Sequence, residues 1–567
     1  MKKLIVPSVF VGLLTLLALS STLLNTSLSA WLEDMTGETD LKQQVVAVSS
    51  EISQRRLDTQ DMAPLSHTHV NPYGVNVFLE QEVEDWKLRL TMEMIRDSGA
   101  RWIRLHVPWA DVEEPSKGEY LNSAGRSSWD KYDRIVELAG EYGINILARL
   151  DDPPNWSRQD NSVHNSPPDN YNDFGDFVYA FASRYRGRIT YYQIWNEPNV
   201  YPEWGNRPVD AESYVNLLRI AYTQAKEADP SSVIVAAPLS PTLGTPDGMN
   251  ESDLSFFQRM YDAGATDYFD VMAVNAYGLW TGPGDRRAEA ARTNFSRPLL
   301  VREIMVRNGD AGKSIWASEM GWNALPDDFP GPPTHGRVSL ERQATYTADA
   351  YRRAQEEWPW MGVIFYWQFR MVREEPEQVA YYYSMVLPDF TTQPVFDAFR
   401  VVAHEPPVLN FGYRQSNHWA LDYQGSWVDA PGDVAGMDFF TQAAEAGASL
   451  SFAFRGTGLR LLVPDWLAAG RAYVSIDGFP PGGLPKDQEG RAYLDLASAA
   501  LRPGQPLALA GALPSGVHEA RIVAGAPGFA LKALIVERDE RDWWRISGGV
   551  ALMLACMVTL VWVYSRR

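Results

Sequence analysis

Two glutamates each close a short apolar run. Tyr191-Tyr192-Gln193-Ile194-Trp195 leads into Asn196-Glu197-Pro198-Asn199, and Ile315-Trp316-Ala317-Ser318 leads into Glu319-Met320-Gly321-Trp322. Both runs have the composition of buried strands. As the fourth and seventh strands of a parallel barrel, they would bring the two carboxylates face to face at its mouth, where the βα loops converge. Carboxylates so placed can divide acid and nucleophile work, one holding a proton for a leaving oxygen and the other attacking in ionised form. Cleavage of a glycosidic bond with retention needs such a pair, about 5–5.5 Å apart. Asn-Glu-Pro alone also suits an ordinary turn, with Glu197 beside a helix cap. The second glutamate is what points to chemistry.

The elements around these runs predict the barrel. Strand-like segments fall at 74–77, 102–106, 144–150, 190–195, 233–237, 271–276, 314–318 and 363–367. Stretches such as 129–141, 174–185 and 211–228 between them carry helical periodicity. Strand–helix alternation of this kind implies βα units, and eight of them suit a (β/α)8 TIM barrel within the α/β class. A doubly wound sheet would more often show a Gly-rich phosphate turn after its first strand, and none is present. After about Pro406 the texture changes to period-two alternation, as in Leu450/Phe452/Phe454 and Ala472/Val474/Ile476, broken by Asp477-Gly478 and Pro514-Ser515-Gly516. That pattern predicts an antiparallel β-sandwich. The expected division is 1–31 as a membrane anchor or signal segment, 32–66 as a juxtamembrane stalk, 67–402 as the barrel, 403–538 as the sandwich, and 543–567 as a transmembrane helix with a basic tail.

The segment Trp195-Asn196-Glu197-Pro198, with a glutamate closing the seventh strand, resembles the clan A retaining glycoside hydrolases. Arg104-Leu105-His106 on the second strand, and the stretch from Trp109 to Tyr120 after it, are closest in pattern to glycoside hydrolase family 39, with family 5 relatives. The resemblance spans about residues 67–402. It implies Glu197 as acid/base, Glu319 as nucleophile, Asn196 as partner of the sugar 2-hydroxyl, Tyr277 against the nucleophile and Trp367 as the platform under the sugar. Asn275-Ala276-Tyr277 departs from the His-Pro-Tyr or His-x-Tyr of many relatives, which bears on the choice of sugar. Arg104 reads as a partner of the nucleophile's charge, as a structural ion-pair group, or as both. His106 reads as ligand-facing or as a satisfied core histidine, and Trp367 as platform or core. Asp151-Asp152 lacks a histidine neighbour in sequence and reads as a solvated pair, so no metal and no cofactor is expected. The sandwich resembles galactose-binding-like jelly rolls, where sugar binding and a spacer role both remain open.

Composition narrows the setting. The 567 residues hold 51 Lys+Arg against 71 Asp+Glu, a net charge of −20 that argues against general affinity for nucleic acid. Cys556 is the one cysteine, so neither a disulfide framework nor a multi-cysteine zinc site exists. Lys2-Lys3 precedes an apolar stretch from Leu4 to Leu24, either a signal peptide or an uncleaved anchor. The uncharged run from Ile546 to Tyr564 would make about 28 Å of helix, edged by Trp543-Trp544 and followed by Arg566-Arg567. Both basic ends would face the cytoplasm and the body would lie outside. The expectation is a membrane-held retaining glycosidase acting on a cell-surface or exported polysaccharide, with exopolysaccharide assembly machinery as a partner. A transglycosylase with the same residues and a non-catalytic carbohydrate-binding protein are the alternatives.

Overall fold

A computed structural model describes residues 54–430, 439–464, 470–496 and 505–538, with isolated positions between 32 and 51. Eight parallel strands close into a barrel in sequence order: β1 (Tyr73–Val77), β2 (Trp102–Pro108), β3 (Asn145–Asp151), β4 (Tyr191–Ile194), β5 (Val233–Leu239), β6 (Val271–Asn275), β7 (Ser314–Met320) and β8 (Met361–Tyr366), with β8 paired to β1. Both faces of these strands are covered, which is why they read as near-continuous apolar runs. The expected strands are present with ends shifted by one or two residues. Trp195 and Trp367 fall just beyond their strands.

The outer helices bury one stripe each. Trp129–Glu141 buries Trp129, Tyr132, Ile135, Val136, Leu138 and Ala139, and each large apolar side chain so covered is worth about 1.5–3 kcal/mol. Ala211–Ala228 starts where the Asp210 side chain accepts from the Glu212 N–H. Inside the barrel, Trp102, Tyr191, Trp316 and Phe365 fill the N-terminal end, with Tyr191 and Trp316 stacked at 4.8 Å. Gly362 makes room for this plug, since a Cβ there would meet the Trp316 indole at 2.1 Å. The aromatic layer closes the bottom, and polar side chains occupy the layer above.

Residues 55–66, expected as part of a stalk, lie along the barrel. Arg55 pairs with Glu303, the Trp360 N–H donates to Asp61 at 3.1 Å, and the Ser66 N–H donates to the Gly312 carbonyl at 3.0 Å. Leu65 is buried in the barrel's apolar core, and the rest of the strap is held by polar contacts, which a hydrophobicity pattern does not reveal.

The C-terminal region forms three sheets. Gly412–Gln415, Ala533–Glu537, Gly458–Leu462 and Leu507–Ala510 make one; Asp422–Gln424, Ser449–Arg455, Val517–Ala524, Arg471–Ile476 and Tyr493–Asp495 make another, with Val408–Leu409 added in parallel to Ser449–Arg455. A small third sheet joins Trp427–Ala430, Phe440–Ala443 and Ala530–Leu531. Leu450, Phe454, Leu461, Ile522 and Leu534 share one apolar core. This region docks on the N-terminal end of the barrel: the Trp419 N–H donates to the His69 carbonyl at 2.8 Å, and Arg455 faces Glu356 at 3.6 Å. It therefore stands at the end opposite the βα loops.

The two apolar runs expected to meet the membrane, 4–24 and 546–564, lie outside the described residues. Among the described residues no helix is long and apolar enough to cross a membrane.

Candidate active site

The backbone leaves β4 abruptly. Trp195 (φ 74°) and Glu197 (φ 40°) both sit in the left-handed region, which costs a non-glycine residue about 1–2 kcal/mol. Hydrogen bonds from neighbouring strands hold them there: the Trp195 N–H donates to Leu150 and the Glu197 N–H to Pro238, each at 3.0 Å. Glu319, the penultimate residue of β7, is turned inward by a β-bulge: the register against β6 jumps from Val274–Ala317 to Asn275–Glu319, which takes Glu319 off the outward face shared by Ile315 and Ala317.

Arg104 on β2 organises the mouth. Its guanidinium is 2% exposed and donates to Glu319 Oε1 at 3.0 Å, and to Asn76, Gln193 and the Asn196 Oδ1 at 2.8 Å each. Those acceptors come from β1, β4 and β7, so one cation ties three strands. Tyr277, just past β6, donates its hydroxyl to Glu319 Oε2 at 2.7 Å. Burial, and then the charge of Glu319, hold the Tyr277 pKa well above its ordinary value, so the phenol remains a donor. Among the described residues Glu319 thus receives two donors, one of them cationic.

Glu197 has the opposite setting. Its Oε1 accepts from the Asn275 amide at 2.7 Å, and among the described residues no cation pairs with it. Burial, then the charges of Glu319 and Glu203, push its pKa up to about 8, against the hydrogen bonds from Asn275 and Ser240. One carboxyl is set to hold a proton, and the other is clasped by a guanidinium and a phenol. Asn275 is itself buried, with its Oδ1 taken by the Ser318 hydroxyl at 3.0 Å. Its oxygen is thus taken within the protein and one amide hydrogen is given to Glu197. Asn196 differs. Its oxygen is committed to Arg104, while its NH2 finds no acceptor among the described residues. Trp367 is partly exposed, with its ring edge-on to Phe78 at 5.4 Å.

The expectation for Asp151-Asp152 as a solvated pair is corrected. Parallel register between β2 and β3 brings His106 to them, its Nε2 lying 3.0 Å from Asp151 and 3.2 Å from Asp152, with Glu80 3.7 Å from Nδ1. The histidine partner comes from the adjacent strand, out of sight in sequence. Burial and Arg149 lower the His106 pKa, but the two aspartates outweigh them and raise it well above normal. Donor atoms of His106, Asp151 and Asp152 lie within 4.8 Å of one another, close enough for a metal ion. The proton on His106 and the Arg149 guanidinium on Asp151 already supply counter-charge there.

Sequence reasoning missed Asn76, Gln193, Glu203 and Tyr383. Asn76 and Gln193 were detectable as lone polar residues at inward positions of buried strands. Glu203, held by the Asn165 amide at 3.0 Å, lies in an irregular loop without periodicity. Tyr383, 5.8 Å from the Tyr277 ring, arrives from a short helix after β8.

No family model matches the chain, and no curated protein does. Among solved structures it is similar to glycoside hydrolases. A family 39 enzyme from the gut symbiont Bacteroides cellulosilyticus WH2 is 17% identical, with a TM-score of 0.45 and 82% of each chain covered. A monomeric beta-xylosidase from Caulobacter crescentus CB15 is 14% identical, with a TM-score of 0.43 over 83% of this chain and 99% of that one. A family 5 enzyme from Streptomyces cattleya, solved in complex with GlcNAc, is 14% identical, with a TM-score of 0.45 over 60% of this chain and 82% of that one. These are likenesses, and the geometry of the barrel mouth carries the functional reading.

Proposed function

We propose that the chain is a retaining O-glycosyl hydrolase acting by two displacements. The observation that carries this reading is the opposed setting of the two carboxyls, Glu319 under Arg104 and Tyr277, and Glu197 buried without a cation. In the first displacement a Glu319 oxygen attacks the anomeric carbon as the bond to the leaving oxygen breaks, and Glu197 gives that oxygen its proton. The Asn196 NH2 is the free donor for the neighbouring sugar hydroxyl. With Glu319 esterified, its charge no longer raises the Glu197 pKa, so Glu197 becomes a base. In the second displacement Glu197 takes a proton from water, the water oxygen bonds to the anomeric carbon, and Glu319 leaves.

Hydrolysis of a panel of 4-nitrophenyl β-glycosides, with the first-formed anomer read by NMR, tests this. Initial release of the β-anomer is expected, and initial release of the α-anomer would overturn retention.

We also propose that the body is extracytoplasmic, held to the membrane through 4–24 and 546–564, and acts on a surface or exported polysaccharide. The two apolar runs and their basic ends support this. The docking of the sandwich at the barrel's N-terminal end agrees with it, because the mouth is left open. Protease added to intact cells should digest the body while a C-terminal tag survives. Protection of the body until lysis would refute the orientation.

A further inference from the structure

Among the described residues two tryptophans are more than half exposed, Trp86 at 55% and Trp280 at 56%. Trp86 is engaged: its indole N–H donates to Glu84 at 3.1 Å, the Phe390 ring lies 5.9 Å away and the Lys87 ammonium 5.6 Å from its centroid. Trp280 has no hydrogen bond from its indole and no ring partner among the described residues. It lies three residues beyond Tyr277, on the loop after β6. Tyr201, 48% exposed, lies four residues beyond Glu197 on the loop after β4, and Leu243, 59% exposed, on the loop after β5. Large apolar groups left in water forgo the stabilisation that burial would bring.

These loops are pinned to one another. The Tyr201 N–H donates to the Met249 carbonyl at 3.0 Å and to Asn250 Oδ1 at 3.1 Å. The Thr242 carbonyl accepts from Arg297 at 3.5 Å, and the Thr281 carbonyl from the Trp322 indole at 2.8 Å. Their roots also surround the acid: Glu197 begins the loop after β4, Ser240 the loop after β5, and Asn275 ends β6, and both of the latter bond the Glu197 carboxyl. Groups beyond a general acid meet the part of the substrate that departs with the protonated oxygen.

We propose that Tyr201, Leu243 and Trp280 form sugar-binding subsites on the leaving-group side, so that the leaving group is itself a sugar chain and the protein cuts within polysaccharides. Flat indole and phenol faces suit the C–H faces of sugar rings, with no charge required. The inference rests on Glu197 as the acid, and binding can be measured apart from turnover.

The full chain should be slowed in native gels containing soluble xylan, glucomannan or mixed-linkage β-glucan by at least one of the three. A Tyr201→Ala, Trp280→Ala double variant should lose at least about tenfold in that apparent affinity. Phe479→Ala, which removes a 74% exposed ring in the sandwich, should lose nothing. On the matching β-linked hexasaccharide, products of two or more sugars should appear from the start, and the double variant should lose at least ten times more kcat/KM there than on a 4-nitrophenyl glycoside. No retardation by any polysaccharide, or equal retardation of the double variant, would overturn the proposal. Release of single sugars only would overturn it while leaving the glycosidase reading intact. Binding without hydrolysis of any substrate would sink both.

Discussion

At the barrel mouth the His106 side chain is 14% exposed among Glu80, Asp151 and Asp152. In the sandwich, His518 pairs with Asp477 at 2.7 Å, but that carboxylate is 47% exposed. His518 also faces the Pro514 carbonyl at 2.8 Å, and Asp477 accepts from the Glu519 N–H at 2.9 Å, so the contacts fasten the turn at Asp477-Gly478. The mouth buries its charges in the middle of the fold, with partners from several strands. The sandwich keeps its core apolar and its ion pairs at turns and rims. Burying an ion costs several kcal/mol unless opposite charges converge on it, so the buried charges of the mouth need partners from several strands, while a turn clasp is a local matter. The difference separates the region that holds the two glutamates from the region that holds neither.

The largest effects should come from the two glutamates. Glu319→Ala should lower kcat by about 10^4-fold or more, the scale seen when a nucleophile is removed. Azide should restore turnover with an inverted product. Glu197→Ala should still react with substrates bearing good leaving groups, azide now giving a retained product. Exchange of the two stereochemical outcomes would exchange the roles.

Arg104→Met should come next, costing about 3–5 kcal/mol of stability, because Glu319 would remain buried without its cation. Urea unfolding measures this, and a loss under about 1 kcal/mol would show that the network is not what holds the mouth.

The raised pKa of Glu197 sharpens the contrast through pH. As the acid, it should give kcat/KM an alkaline limb near pH 8. In stability the sign is negative: between pH 4.5, its ordinary value, and about 8 the folded state holds a proton that the unfolded chain has lost, so folding weakens as pH rises. Glu197→Gln removes that proton linkage and should raise Tm by a few degrees more at pH 8 than at pH 4.5, where about 1 kcal/mol is worth about 2–4 °C. An equal shift at both values would refute the burial of an acid there.

The smallest effect belongs to the sandwich. Burial lowers the His518 pKa, but Asp477 and the Pro514 carbonyl outweigh it and raise the value above 6.5. The pair's contribution is therefore full below pH 6.5 and lost as pH rises through the folded value. With Asp477 half exposed, Asp477→Ala should cost under about 1 kcal/mol at pH 5.5, less at pH 9, and nothing in activity. A change in turnover would break the division between the two regions.

Much of the barrel was legible because buried parallel strands and one-sided helices leave strong periodic signals. The helical stretches 129–141 and 211–228 coincide with Trp129–Glu141 and Ala211–Ala228. Glu197 and Glu319 were legible because strand ends in such a barrel converge. The parallel pairing of Val408–Leu409 with Ser449–Arg455, and the strap at 55–66, left no trace, since both depend on backbone or polar contacts with distant segments.

By itself, then, the sequence determined which residues could act: local patterning places a glutamate after a buried strand whatever surrounds it. The resemblance already implies Glu197 as the acid, but the setting that would hold its proton exists only in the tertiary structure. That depends on Arg104 and Tyr277 reaching Glu319, and on Asn275 and burial reaching Glu197, across strands far apart in the chain. It also decided that Asp151 and Asp152 meet His106, and that the sandwich sits at the end of the barrel away from the loops. Electrostatic fields and docking surfaces are sums over neighbours in space, and a linear pattern does not contain them.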